Sequence, residues 1–109
     1  MQIVPLGLIQ PNATATAVNV NANTILSANK LKFQSVPAGC TTLVASTAPI
    51  YIGSSALDIA TGAGVIKVLE AGDEWSFGDE RDGNLIDLAS IFVKAQNATD
   101  GVLVCAFKR

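Results

Sequence analysis

The apolar residues of this chain come in short runs of period two, punctuated by Gly, Pro, Asn and Asp, and nowhere do they hold a 3.6-residue period over a helix-length window. Alternation sets residues i and i+2 on one face of an extended strand, whereas a helix needs a stripe at i, i+3 and i+4. The pattern predicts about eight or nine short strands at roughly 8–12-residue spacing, the signature of a sandwich or barrel. Residues 49–77 show it best. Ile50 and Ile52 share a face, and a loop rich in Ser, Ala, Thr and Gly follows, within which Leu57-Asp58-Ile59 makes at most a brief strand. Val65-Ile66-Lys67-Val68-Leu69 then runs to a reversal at Gly72-Asp73, and Trp75 and Phe77 stand on one face of the returning strand. Aromatic side chains of that size seed a core.

The remaining segments read as further strands around this unit. Residues 2–9 carry Ile3, Val4, Leu6, Leu8 and Ile9 but are interrupted by Pro5 and Gly7. Proline is excluded from central strands, so residues 1–12 form an edge strand or an extended N-terminal arm, and residues 13–109 the domain. An apolar arm must be covered, by its own domain as the default or by a neighbour. Thr14, Thr16, Val18 and Val20 alternate with Ala15, Ala17, Asn19 and Asn21, giving a charge-free strand ahead of a turn at Asn21-Ala22-Asn23. In residues 30–36, Leu31 and Phe33 point inward and Lys30, Lys32 and Gln34 outward, a half-solvated antiparallel strand. After the turn Pro37-Ala38-Gly39, residues 41–46 read as another short strand. A polar connection at 78–84, strands over 85–88 and 91–95, a turn at Asp100-Gly101 and a closing strand over 102–107 complete the chain. The fold class is all-β, a single compact antiparallel sandwich or barrel, jelly-roll-like, with no internal repeat.

Composition narrows the function classes. Half of the 109 residues are hydrophobic and 15% are charged, against about 25% in ordinary soluble domains. A surface short of charge suggests burial against copies or neighbours. Two lysines give residues 1–57 a charge of +2, and nine acids against five bases give residues 58–109 a charge of −4. No cluster of Lys or Arg offers the phosphate-neutralising stripe of a nucleic-acid binder. No stretch approaches the ~20 apolar residues of a membrane span. Residues 1–9 lack the basic region of a signal peptide, which makes the sequons at Asn12 and Asn97 chance matches. Cys40 and Cys105 are too few for a disulfide framework and read as reduced, unpaired thiols.

Catalytic chemistry finds no foothold. Histidine is absent, which removes the commonest general base and metal ligand. Two cysteines make no tetrahedral zinc site, and Gly62-Ala63-Gly64 lacks the helix and lysine of a phosphate loop. The acidic group Asp73, Glu74, Asp79, Glu80 and Asp82 reads as a solvated loop partly neutralised by Arg81; a Ca²⁺ site is the sharper alternative, but the order of an EF-hand loop is not met. No catalytic, cofactor or metal site is assigned. Trp75 and Tyr51 could stack a sugar, although aromatics on strands more often anchor a core.

The segments Ile50-Tyr51-Ile52-Gly53 and Leu69-Glu70-Ala71-Gly72-Asp73-Glu74-Trp75 resemble short structural proteins of tailed-bacteriophage particles, among them capsid decoration (cement) proteins and other head-associated β-sandwiches. Ile91-Phe92-Val93-Lys94-Ala95 and Asp100-Gly101-Val102-Leu103-Val104 are similar to that group as well. The resemblance covers residues 30–107 and rests on strands and turns. It implies a homo-oligomer, often a trimer, made in the host cytoplasm and seated in the virion on the major capsid protein or another virion protein. A tail or collar position, or a carbohydrate-binding module, is the alternative. The candidate contact residues are Ile3, Val4, Leu6, Leu8 and Ile9 of the arm, with Val18 and Val20 of the charge-free strand.

Overall fold

The computed structural model describes residues 2–11, 14–21, 25–79 and 84–109. Among the described residues there are ten strands: β1 (Gln2–Ile9), β2 (Thr16–Ala17), β3 (Ser27–Ala28), β4 (Lys30–Ser35), β5 (Ile50–Gly53), β6 (Val65–Leu69), β7 (Glu74–Gly78), β8 (Ile86–Asp87), β9 (Phe92–Ala95) and β10 (Val102–Lys108). Eight of them form two four-stranded sheets, ordered β1-β10-β4-β7 and β2-β9-β5-β6, while β3 and β8 make a small ladder at one end. All pairings are antiparallel. Numbering the eight sheet strands in chain order, the sheets read 1-8-3-6 and 2-7-4-5, the strand order of a jelly roll. The ladders β1–β10, β2–β9, β4–β7 and β5–β6 are nested, as if one long hairpin turning between β5 and β6 had been rolled up.

Extents of 35 × 32 × 22 Å suit two layers about 10 Å apart with side chains on both outer faces. The core lies between them. Leu31 and Phe33 of β4 and Val102, Val104 and Ala106 of β10 meet Ile50 and Ile52 of β5, Leu69 of β6, and Val93 and Ala95 of β9. The alternation of β4 is realised as read, with Leu31 and Phe33 fully buried beneath outward Lys30, Lys32 and Gln34. Trp75 and Phe77 pair with Phe33 and Leu31 across the β4–β7 ladder and face inward, half-buried. Phe33, Trp75 and Phe77 form one aromatic row, with centroids 5.8 and 5.5 Å apart.

Four segments depart from the expected strands. In residues 85–88 only Ile86–Asp87 is strand; the Asp87 side chain accepts the Ala89 N–H and starts a 3₁₀ turn, Leu88–Ser90, with Leu88 buried. Residues 14–21 yield two residues of strand and then a 3₁₀ turn, Val18–Asn21, because Val18 leaves the ladder to fill the end of the core; its N–H bonds the Ile91 carbonyl at 2.9 Å. Residues 41–46 have no ladder partner. Their connection is held by Asp100, fully buried, whose carboxylate accepts from the Thr47 N–H (3.0 Å), the Ala48 N–H (3.0 Å), the Thr47 hydroxyl (3.3 Å) and the Asn97 amide (3.3 Å). Residues 57–59 are loop rather than strand, irregular at 57–58 between two turns, with Leu57 buried. The expected turn at residues 21–23 falls partly outside the described residues, as do Glu80, Arg81 and Asp82 of the acidic group.

Candidate interaction surface

The apolar N-terminal segment lies on its own domain. β1 is the edge strand of the first sheet and pairs with β10 from Gln2↔Lys108 to Ile9↔Val102, with a bulge between Pro5 and Gly7. That pairing distributes the candidate contact residues. Leu6, Ile9 and Val18 are buried in the core, Val4 packs partly against it, and Leu8 is half-buried beside Leu103. Only Ile3 (61% exposed) and Val20 (57%) stand out to solvent. Ile3 lies near the start of β1 and Val20 on the 3₁₀ turn that follows β2, while Leu6, Ile9 and Val18 are turned into the core, so the seven residues do not form one exposed patch. The arm is an edge strand here, and Leu6, Ile9 and Val18 are core residues: burial of aliphatic side chains against the domain's own second sheet leaves them nothing to offer a neighbour.

The outer face of the first sheet offers more than the sequence suggested. In the run 102–107, residues 102, 104 and 106 point into the core and Leu103, Cys105 and Phe107 point out, half-buried. Pro5 pairs with Cys105 and Ile3 with Phe107, which joins two strands into one apolar surface. Leu6 takes the inward side that alternation from outward Pro5 gives it, and the bulge then keeps Leu8 outward and Ile9 inward. Gly7 contributes no side chain, so a shallow groove of about 260 Å³ opens between Pro5, Leu103, Val104 and Cys105, with Lys32 and Gln34 on its far rim. Drug-sized ligand pockets start at about 300 Å³, and this groove falls short of that. Alternation inside that apolar run was the signal for an outward row, and its lack of any polar residue hid it.

Tyr51 sits between buried Ile50 and Ile52 on β5, opposite Val68 and Lys94, and so faces outward from the second sheet. Trp75 faces inward from the first. The two aromatics cannot flank one sugar ring. Within the acidic group, the Asp73 carboxylate accepts the Glu70 N–H at 3.0 Å and closes the β6–β7 turn, and Glu74 lies 3.6 Å from Lys32. No cluster of three or more metal-ligating side chains occurs among the described residues. Cys40 and Cys105 are both free thiols. The Thr42 hydroxyl beside Cys40, with the backbone N–H groups of residues 42 and 43, holds its thiol below the ordinary value; burial pushes that of Cys105 up against the opposing charge of Lys32.

Comparison with protein-family models, curated proteins and solved structures returns no match for this chain.

Proposed function

We propose that the chain is a non-enzymatic virion structural protein that decorates and stabilises a phage capsid as a homo-oligomer, through β surface rather than through a pocket. The observation that carries this reading is the apolar outer face made by Ile3, Pro5, Leu103, Cys105 and Phe107 on a domain with 15% charged residues. Surface of that kind is stable in water when a neighbour covers it. Further support comes from the resemblance of residues 30–107 to phage head proteins. The jelly roll is also an architecture used by capsid proteins, although by lectins too, so the fold alone does not choose between them. A carbohydrate-binding role is less well supported, since Trp75 is engaged by Phe33 and Phe77 and Tyr51 lies on the opposite sheet. The partner in this reading is the major capsid protein or another virion protein, and a lattice of such contacts converts individually weak docking into stable occupancy.

The test is localisation with a surface variant. Particles carrying a tagged copy should show it on the shell, and Leu103→Glu should abolish its incorporation while leaving the isolated domain folded by circular dichroism. Tag density at the tail or collar would relocate the protein within the virion. Incorporation unchanged by Leu103→Glu, or no association with particles, would remove the reading.

A further inference from the structure

Each four-stranded sheet ends in two edges, and three of the four are blunted. β1 carries Pro5 and a bulge, β2 has two residues, and β6 carries Lys67 and a bulge against β5. Proline, lysine, bulges and shortness are the devices by which sheet edges avoid pairing with other chains. β7 has no proline, lysine or bulge, and its one charge is Glu74 at the first position: Glu74-Trp75-Ser76-Phe77-Gly78 pairs with β4 in unbroken register, and no strand lies on its other side among the described residues. We propose that this edge receives a second copy of the same chain, β7 against β7, antiparallel about a two-fold axis through Ser76, joining two first sheets into one of eight strands.

The sequence of β7 is self-complementary in that register. Trp75 of one copy stands opposite Phe77 of the other, and Phe77 opposite Trp75, so the half-buried aromatic row is continued across the axis from the fully buried Phe33 of each copy. Aromatic pairs directly across antiparallel strands are among the favourable ones. On the outer face Ser76 meets Ser76, and Glu74 meets Gly78, which brings no side chain. The next residue along that row is Lys30 of the second copy, the ladder partner of its Gly78. The two Glu74 carboxylates stand four residues apart along the pair, about 14 Å, beyond the ~8 Å screening length at physiological salt. Gly78 is fixed by its own fold: its φ is +94°, and a Cβ there would collide with the Asn29 carbonyl.

Five-residue edges bury less than the ~800 Å² per partner of a standard interface, so the pair is weak and concentration-dependent. It requires no capsid, and is therefore tested apart from the functional reading above. Sedimentation velocity from about 10 μM to about 1 mM should pass from monomer to dimer, and the emission of Trp75, the chain's one tryptophan, should move to shorter wavelength with the same midpoint. Ser76→Glu sets two carboxylates across the axis while placing each opposite Lys32 of its own β4; it should keep the fold and weaken dimerisation by about tenfold or more. A chain that stays monomeric at about 1 mM overturns the proposal, as does a trimer. So does a dimer that forms without a change in Trp75 emission, or one that Ser76→Glu leaves intact.

Discussion

At the scale of single residues, Asp100 shows how much one buried carboxylate can organise. Burying an ionised group is costly unless donors surround it, and here four do, three of them from Thr47 and Ala48, more than fifty positions earlier in the chain. Ser46 adds a second tie, its hydroxyl donating to the Gly101 carbonyl at 3.1 Å. These bonds replace the ladder that residues 41–48 lack and set the direction in which Ile50 starts β5. Asp100→Ala strands the Thr47 and Ala48 N–H groups beside a cavity and should lower stability by about 1–3 kcal/mol, read as a shift in the urea midpoint with unchanged slope. An effect no larger than the ~0.5 kcal/mol of an ordinary surface substitution would show that water serves those donors equally well. Asn29 plays a similar part at the other end, donating to the Asn84 carbonyl and accepting the Arg109 N–H, both at 2.9 Å.

Among the elements, β1 carries the sharpest consequence. Read as an arm, residues 1–9 are dispensable for folding and removable as a test of docking. As an edge strand delivering Leu6 and Ile9 to the core, they are not. Leu6→Ala should cost about 2–5 kcal/mol, the range for aliphatic truncation in a packed core. Deleting residues 1–9 should strip the ladder from β10 and leave an aggregating or unfolded chain by circular dichroism. Ile3→Glu, at an exposed position, should leave the melting curve where it was; a truncated chain as stable as the parent would return β1 to the role of an arm. The elements legible in the sequence were those whose alternation is local: β4 with its lysines outward, β5 with Ile50 and Ile52, and the β6–β7 turn at Gly72-Asp73. What stayed hidden depends on distant partners. Nothing near Thr41 announces that its segment will be held by Asp100, and nothing in Thr16-Ala17-Val18 marks where the ladder stops and Val18 drops into the core. The outward row Leu103, Cys105 and Phe107 was hidden for another reason, since an apolar run reads as buried on both faces.

Over the whole molecule, the nested ladders set an order of entropic cost. β5 and β6 are joined by residues 54–64, whereas β1 and β10 are joined only through nearly the whole chain. Closing a loop costs more as it lengthens, and the cost falls before the non-local contacts repay it. The inner pair, with β7 folding back on β4, is therefore the economical nucleus, and β1–β10 closes the roll late. Two kinetic consequences follow. Refolding should take milliseconds to seconds, as for other domains dominated by non-local pairing, rather than the microseconds of helical bundles. Truncations at the two ends of the nest should also act on different rates. Ile52→Val and Leu69→Ala, in the inner pair, should slow folding, while Leu6→Ala should leave folding nearly unchanged and speed unfolding, since its contacts form after the barrier. Stopped-flow fluorescence reads both limbs, because Trp75 sits on β7 against Phe33 and senses the inner ladder as it forms. If Leu6→Ala slowed folding as much as Leu69→Ala, the roll would have to close from its ends inward, and the short inner ladder would be a late product of the fold instead of its seed.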